Sequence, residues 1–159
     1  MRKKGLEPIL DQETKVLIMG SLPSDKSISA GKYYANPMND FWKLIDSALS
    51  EEVSLMDYSS RVATLRKHSI GLWDILKYAS RKGSIDERIQ NEKLNDFSIL
   101  RKKSPKLKLI ALNGKKAGEY EDVFKKAGYQ TIILPSSSGA NRRESEKRIL
   151  AWQKIQHYL

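Results

Sequence analysis

Amide, hydroxyl and carboxylate side chains are the groups with which this chain of 159 residues could do chemistry. The chain contains no Cys, which excludes thiolate nucleophiles, disulfides, and zinc or iron–sulfur centres held by Cys. His68 and His157 are its only imidazoles, and no group of acidic residues has the spacing of a metal cage. We therefore expect no metal and no cofactor, so that any catalysis relies on Asn, Asp, Ser, Tyr and backbone dipoles.

Two polar segments follow the first apolar run of the chain. Residues 15–19 (KVLIM) are typical of a buried strand, and residues 20–27 (GSLPSDKS) follow directly. Residues 33–42 (YYANPMNDFW) lead into apolar positions spaced by three and four, which predicts a helix over 41–49. The connection from strand to helix is about twenty residues long, whereas ~2–6 residues are usual. So long a connection is typical of a functional loop.

Strands and helices alternate along the rest of the chain. Buried strands are predicted at residues 15–19, 69–76, 108–112 and 131–134. Further helices are predicted at residues 58–67, 84–89 (from a capping box), 96–102, 115–127 and about 144–157. This alternation predicts an α/β fold, a three-layer α/β/α sandwich with a central, mainly parallel four-stranded sheet. We expect a single domain over residues 1–159, with the motif-bearing core at about 15–152.

Polar residues stand at the predicted ends of all four strands. In sheets of this kind, a site lies outside the carboxyl ends of the strands. Those ends carry residues 20–24, Asp74, Asn113 and residues 135–142. Four polar clusters are therefore expected to converge on one crevice.

Basic residues outnumber acidic ones, with 29 Lys and Arg against 19 Asp and Glu and a formal net charge of +10. This excess favours a polyanionic partner such as nucleic acid, because neutralised phosphates release counterions. A solvated basic surface is the alternative. No run approaches the ~18 apolar residues of a membrane span, and the first residues lack the apolar segment of a signal peptide. We expect a cytoplasmic protein associated with the nucleoid and not with a membrane.

Three segments carry a resemblance to a known family. They are residues 20–24 (GSLPS), 34–42 (YANPMNDFW) and 134–142 (LPSSSGANR). On these segments the chain resembles the uracil-DNA glycosylase superfamily and, within it, the mismatch-specific branch. It is most similar to the hypoxanthine-DNA glycosylase (DNA-deoxyinosine glycosylase) family, whose Leu-Trp-Asp and Asn-Gly segments recur at 72–74 and 113–114. The resemblance spans about residues 15–152.

The resemblance implies a uracil-DNA glycosylase-like fold and a monofunctional DNA repair glycosylase. Such an enzyme hydrolyses the N-glycosidic bond of a deaminated base flipped out of double-stranded DNA and leaves an abasic site. Hypoxanthine is the base most strongly implied, with uracil and xanthine as further candidates. An oxocarbenium-like sugar and an anionic base separate in this reaction, so neutral donors in a dry site, each worth roughly 2.7–4 kcal/mol, assist it without a metal. Nothing in the sequence requires more than a monomer.

Two alternatives stay open at this point. A uracil- or thymine-mismatch-specific glycosylase shares the fold, and a catalytically inactive nucleic-acid-binding module would keep the fold without the activity. The inactive module is favoured by Leu22, which stands where mismatch-type enzymes carry an Asn that positions the water. A flavodoxin-like nucleotide-binding domain is disfavoured, because the chain lacks the Gly-x-Gly-x-x-Gly and phosphate-loop patterns.

Asn39 and Asn113 are the predicted catalytic residues. The resemblance gives Asn39 this part, and the end of its predicted strand places Asn113 where its amide can read the edge of a flipped base. By the same resemblance Tyr34 stacks on the base. Ser21 and Leu22 are predicted to bind the base from the loop after the first strand, where a plain turn is the alternative for Ser21. The structural alternatives are a helix cap for Asn39, a turn residue for Asn113 and a core residue for Tyr34.

Residues of both motifs are predicted to contact DNA. Residues 136–139 precede the last predicted helix, where backbone N–H groups favour a phosphate. Ala140 aligns with the Leu wedge of the mismatch branch and is too small to fill the gap left by a flipped nucleotide. Either Asn141 or Arg142 substitutes for the wedge, or insertion into the duplex is weak. Asp74 is expected to be a cap, a hydrogen-bond acceptor or a residue that orients a water. The predicted DNA contacts are Ser24, Lys26, Ser136, Ser137, Ser138, Gly139, Ala140, Asn141 and Arg142.

Overall fold

The computed structural model describes residues 2–143 and 145–159. Its strands are β1 (Arg2–Lys4), β2 (Val16–Gly20), β3 (Ile70–Asp74), β4 (Leu76–Ser80), β5 (Gln90–Leu94), β6 (Leu109–Asn113) and β7 (Gln130–Leu134). Its α-helices are α1 (Asp25–Ala30), α2 (Phe41–Leu49), α3 (Tyr58–Lys67), α4 (Ile99–Lys103), α5 (Lys115–Gly118), α6 (Glu121–Lys126) and α7 (Ser145–Gln153). Short 3-10 turns lie at Val53–Leu55, Asp86–Arg88, Gly139–Asn141 and Lys154–Tyr158.

A four-stranded parallel sheet forms the centre of the fold. Its strand order is β3-β2-β6-β7, and each neighbouring pair is parallel. All residues of β2 and β3 are buried, as is typical of strands covered on both faces. The predicted α/β sandwich around a four-stranded sheet is confirmed, and the four predicted strands are the four strands of this sheet.

Helices cover both faces of the parallel sheet. Because side chains alternate along a strand, Ile18 and Leu72 point to one face, where they share a core with residues of α2, α3 and α7. Leu17 and Leu112 point to the other face and share a core with residues of α4, α5 and α6. The two cores make the three layers that the alternation of strands and helices predicted.

A second sheet is antiparallel, with the order β1-β4-β5. The chain passes from β3 into β4 through Ile75, whose backbone N–H donates to Gly20 O at 2.8 Å. No sequence pattern predicted this sheet. Its outer strands carry no strand signal, since β5 is a polar segment exposed at every residue and β1 is three basic residues.

The long connection after β2 contains a helix that the sequence analysis did not predict. Ser24 is the N-cap of α1, with its hydroxyl oxygen accepting a hydrogen bond from the helix backbone at 3.2 Å. Ser84 Oγ accepts a hydrogen bond from Asp25 N at 3.0 Å. Because Ser84 is engaged there, it does not cap its own segment. The helix predicted over 84–89 is therefore only a 3-10 turn at Asp86–Arg88.

Three other predicted helices have different bounds. The helix predicted over 96–102 is α4, which begins at Ile99 and ends at Lys103. The helix predicted over 115–127 is divided into α5 and α6 by a bend at Glu119 and Tyr120. The last predicted helix is α7 followed by a 3-10 turn, and its predicted first residue, Glu144, lies outside the described residues. Within residues 2–143 and 145–159, no helix has the length and apolar character needed to cross a membrane. The single domain over 1–159 stays a prediction.

Candidate active site

Three residues form a row at the carboxyl edge of the parallel sheet. Asp74, Gly20 and Asn113 are the last residues of β3, β2 and β6. Because side chains alternate along a strand, all three positions lie on the face of the sheet that α2 covers. The strand order places Gly20 between the other two. A Cβ on Gly20 would lie 2.7 Å from Asp74 Oδ1 and 3.4 Å from Tyr34 Oη. Glycine is therefore needed there to leave room for the carboxyl group.

Tyr34 reaches over this row from the segment before α2. Its backbone has a φ of 53°, and its ring stacks on Phe41 with centroids 3.8 Å apart and planes inclined by 9°. Trp42 Nε1 donates to Tyr34 O at 3.2 Å, and Asn113 Nδ2 donates to Tyr34 Oη at 3.1 Å. Burial, followed by the charge of Asp74, raises the pKa of Tyr34 well above its usual range. The phenol is thus protonated at neutral pH.

Asn113 joins the end of β6 to the loop after β7. Its Nδ2 donates to Ser137 Oγ at 2.9 Å as well as to Tyr34 Oη, and its Oδ1 accepts from Ser137 N at 3.0 Å. Both amide hydrogens are engaged in these bonds, whereas a carbonyl oxygen has two lone pairs. Asn113 lies where the sequence analysis placed it, beside Tyr34. Its remaining capacity is that of an acceptor.

Asn39 stands two residues before the first residue of α2, whose N-cap is Asp40, and its side chain bonds the first N–H of the helix. Its Oδ1 accepts a hydrogen bond from Phe41 N at 2.9 Å, so the capping role weighed in the sequence analysis is present. The cap uses the carbonyl oxygen of Asn39 and not its amide nitrogen. The next residue, Asp40, donates its backbone N–H to Ser137 O at 2.8 Å. Because Ser137 also bonds Asn113, Asn39 lies one residue from the same hydrogen-bond network.

An ion-pair network ties the start of α2 to the loop after β7. Asp40 Oδ2 lies 2.7 Å from Arg142 Nε and 2.6 Å from Arg148 Nη2. Asp40 and Arg148 are each only 6% exposed. Hydrogen bonds from Arg142 are the largest influence that lowers the pKa of Asp40 to about 2. Arg148 could not be predicted from the sequence, because one more basic residue on a basic helix carries no sign of its burial.

The loop over residues 136–142 is held by its own polar groups. Ser136 Oγ accepts from Ser138 N at 3.1 Å, and Ser138 Oγ accepts from Ala140 N at 3.3 Å. Asn141 Nδ2 donates to Ser136 O at 3.0 Å. Ala140 and Asn141 are exposed at the tip of this loop, whereas Ser136 and Ser138 are half-buried.

The loop also packs against the segment before α2. Gly139 lies so close to Met38 O that any Cβ would collide with it. Arg142 Nη2 donates to the same carbonyl oxygen at 3.1 Å. Ser137 is buried, with 1% exposure, and Asn113 and Asp40 bind it from two sides. Arg142 and Ser137, both predicted as DNA contacts, thus join the two motifs to each other.

The four predicted site residues after β2 are placed differently from one another. Ser21 and Leu22 are buried, with 5% and 6% exposure, and Leu22 belongs to the core on the far face of the sheet. The Ser21 side chain hydrogen-bonds Asp86. Ser24 caps α1, and Lys26 is exposed on that helix. Of these four residues, Lys26 is the one whose side chain is exposed and could contact a partner directly.

Asp74 is a buried carboxyl group at the end of β3. It is 4% exposed, and its Oδ2 has no hydrogen-bond partner among the described residues. Burial, followed by the charge of Asp86, raises the pKa of Asp74 to about 7, against a lowering by Arg81. Asn95 Nδ2 donates to Asp74 O at 2.8 Å and so holds the backbone, while leaving the carboxyl group unpaired.

A cleft of about 440 Å³ lies between α2 and α7, beside the ion-pair network and not over the strand ends. At the strand ends, Tyr34 Oη lies over Gly20. No three His, Cys, Asp or Glu side chains within the described ranges 2–143 and 145–159 are grouped to hold a metal ion. The cleft is lined by Asp40, Lys43, Leu44, Ser47, Arg142, Ser145, Arg148 and Ile149.

The fold and the candidate site agree with a match to a known protein family. The family model described as the uracil DNA glycosylase superfamily matches residues 7–159. The chain belongs to that superfamily, and the predicted resemblance is confirmed.

Two named relatives and one solved structure show which members of the superfamily the chain is similar to. A protein named hypoxanthine DNA glycosylase from Methanosarcina acetivorans is 50% identical over 155 residues, which cover 98% of each chain. A protein of the same name from Methanosarcina barkeri is 47% identical over 152 residues, or 96% of each chain. The solution NMR structure of a candidate uracil DNA glycosylase from M. acetivorans matches with a TM-score of 0.92 and 50% identity, covering 99% of both chains.

Proposed function

We propose that this protein is a DNA repair glycosylase that hydrolyses the N-glycosidic bond of hypoxanthine in DNA and leaves an abasic site. The observation that carries the proposal is the match over nearly the whole chain to two relatives named hypoxanthine DNA glycosylase, at 50% and 47% identity. These relatives support the glycosylase activity predicted from the sequence. The row at the sheet edge supports it chemically, because amides, a phenol and a carboxyl group there can bind a departing base.

The residues at the sheet edge and in the segment before α2 have distinct roles in the proposed reaction. Asn39 supplies amide N–H groups to the reacting centre while its carbonyl oxygen caps α2. Asn113 accepts a hydrogen bond from the lactam N–H of hypoxanthine through its second lone pair. Tyr34 stacks on the flipped base, with Phe41 supporting its other face at 3.8 Å. Ser21 and Leu22 are buried in the loop that follows Gly20 and support the site from behind, Leu22 from the core on the far face of the sheet.

The substrate in this proposal is double-stranded DNA, bound by a monomer that associates with the nucleoid. The net charge of +10 supports contact with phosphates. Lys26 and the exposed tip residues Ala140 and Asn141 are the proposed contacts with DNA, together with Ser24. The backbone N–H groups of Ser137, Ser138 and Ala140 are already engaged in hydrogen bonds, so they are not proposed to bind a phosphate as the sequence predicted. Arg142 keeps its bonds to Asp40 and acts by holding the loop in place for DNA. Ala140 and Asn141, exposed at the tip, lie nearest the gap left by the flipped nucleotide.

Uracil is the second candidate base. The solved structure with a TM-score of 0.92 belongs to a candidate uracil DNA glycosylase, which favours this alternative. Hypoxanthine and uracil both present a lactam N–H and a carbonyl oxygen, so the acceptor of Asn113 serves either base. The two differ in size, because a purine extends further from the sugar.

A panel of duplexes tests the proposal. Each duplex carries one hypoxanthine, xanthine, uracil or mismatched thymine, and abasic sites formed in a single turnover are cleaved with alkali. We expect the fastest release from the hypoxanthine duplex and no strand cleavage before alkali. Binding that weakens steeply with salt, without release of any base, would instead identify the inactive binding module. Release of uracil alone would assign the second candidate.

Replacing Tyr34 with Leu is expected to weaken binding to a duplex that contains hypoxanthine by roughly 5- to 150-fold, since base stacking contributes about 1–3 kcal/mol. Tyr34→Phe is the matched control, because it keeps the ring over Phe41 and removes only the hydroxyl that Asn113 bonds. We expect Phe to retain most of the affinity. Titrations against damaged and undamaged duplexes measure both variants, and equal losses on the two duplexes would contradict a role in base stacking.

A further inference from the structure

Asp74 combines burial with an oxygen that no described residue bonds. Its residue exposure is 4%, and its Oδ2 is the unpaired atom. Its other oxygen, Oδ1, lies over Gly20, 2.7 Å from the place of a Cβ, and Tyr34 Oη faces the same place at 3.4 Å. The carboxyl group therefore stands beside Tyr34, the residue proposed to stack on the base. Unpaired buried carboxyl groups are costly, so their presence in a site requires an explanation.

Charged and titratable groups around Asp74 come from three segments. Arg81 follows β4, and its guanidinium is engaged with the carbonyl oxygens of Leu22, Pro23 and Gly83. Its Nη1 also lies 3.7 Å from a carboxylate oxygen of Asp86, on the 3-10 turn. The third segment contributes Tyr33 and Tyr34, whose pKa values burial raises. Asp74 thus has a distant cation but no bonded counterion within residues 2–143 and 145–159.

This environment favours the neutral form of the carboxyl group. Burial is the largest influence on the pKa of Asp74, which it raises to about 7, and the neighbouring charge of Asp86 acts in the same direction. A carboxylic acid that is protonated near neutral pH and has no ion pair is a proton donor.

We propose that Asp74 is the general acid of the reaction, which donates its proton to the purine as the base leaves. The inference rests on the proposed glycosylase function. As the bond from C1′ to the base nitrogen breaks, its electron pair passes to the base, and the Asp74 proton passes to a nitrogen or oxygen of the base. Water adds to C1′ and releases one proton, which restores the Asp74 acid. The products are neutral hypoxanthine and the abasic sugar.

The pH dependence of base release tests this step. Single-turnover rates on a hypoxanthine duplex are measured from pH 5.5 to 8. We expect the wild-type rate to level off at low pH and to fall as pH rises through about 7, because only the protonated acid is active. Asp74→Asn cannot transfer a proton, so its rate is expected to be about 100-fold lower at pH 6 and to lose this fall.

Two further carboxyl variants serve as comparisons. Asp86→Asn removes a negative charge that raises the pKa of Asp74, so it is expected to move the fall to lower pH without abolishing it. Asp122→Asn, on the exposed surface of α6, is expected to change neither rate nor profile. Thermal unfolding supplies a separate readout. Because burying the Asp74 carboxylate destabilises the fold, Asp74→Asn is expected to gain Tm over the wild type, by more at pH 8 than at pH 5.5.

The outcomes separate the inference from the function on which it rests. A folded Asp74→Asn variant with the wild-type rate and the wild-type pH profile overturns the role of Asp74 alone. If Asp86→Asn does not move the fall in rate to lower pH, the role of Asp74 as the general acid is also overturned, and this result does not depend on the Asp74→Asn variant. Wild-type protein that releases no hypoxanthine overturns the proposed function and the inference together.

Discussion

Replacing Asn39 with Ala is expected to lower the rate of hypoxanthine release about 100- to 1,000-fold, while binding to the duplex changes little. The estimate follows from the loss of one neutral donor in a buried site, which costs about 2.7–4 kcal/mol of transition-state stabilisation. Asn39 is followed by Asp40, whose backbone N–H donates to Ser137 O, and Ser137 N in turn donates to Asn113 Oδ1. Single-turnover release measures the rate, and titration with an uncleavable analogue measures binding.

The matched variant Asn39→Asp separates catalysis from capping. Asp and Asn cap helices about equally well, so Asp retains an acceptor for Phe41 N but has no amide N–H. Asn39→Ala is expected to lose about 1 kcal/mol of stability, and Asn39→Asp much less. If the amide acts in catalysis, both variants lose activity alike. An active Asn39→Asp beside a destabilised, inactive Asn39→Ala would show that Asn39 is only a cap.

Replacing Asp40 with Asn is expected to lower the free energy of unfolding by about 3–5 kcal/mol, because it leaves a buried guanidinium without its counterion. That guanidinium belongs to Arg148, whose Nη2 lies 2.6 Å from Asp40 Oδ2 and which is 6% exposed. Urea unfolding at neutral pH measures the loss. Glu13→Ala is the control, since its ion pair with Lys106 is exposed and such pairs contribute about 0–1 kcal/mol. Equal losses for the two variants would contradict the structural importance of the network.

The lowered pKa of Asp40 predicts how the free energy of unfolding changes in acid. Its pKa in the folded protein is about 2, below the usual 3.8, so its contribution is present above about pH 4 and is lost as the pH falls towards 2. For this shift the contribution is about 2 kcal/mol. Asp40→Asn lacks it, so the gap between wild type and variant is expected to narrow over that pH range. A constant gap from pH 6 to pH 2.5 would argue against the depressed pKa.

Local patterns were sufficient to predict the sheet and the edge that carries the site. Short apolar runs such as 15–19 and 108–112 identify buried strands, and parallel strands end at the same edge. That geometry is why Asn113 was predicted to stand at this edge, where its Nδ2 lies 3.1 Å from Tyr34 Oη. The antiparallel sheet could not be predicted in this way, because β5 is polar and exposed throughout.

Contacts between distant parts of the chain escaped the sequence analysis. Arg142 and Arg148 lie 102 and 108 positions from Asp40, and no local pattern marks them as its partners. For the same reason Arg142 was predicted to contact DNA and not a carboxylate. The position of Asp74 at a strand end could be predicted, but its lack of a bonded counterion could not, since that depends on where the Arg81 guanidinium lies.

The central claim is that a base swung out of DNA is bound at the carboxyl edge of the sheet, beside Tyr34, Asp74 and Asn113. A crystal structure of the Asn39→Ala variant with a duplex containing hypoxanthine tests it most directly. The account predicts the purine stacked on Tyr34, with Asp74 Oδ2 and Asn113 Oδ1 at hydrogen-bond distance from it. A purine bound in the cleft between α2 and α7, or one still stacked inside the duplex, would contradict it.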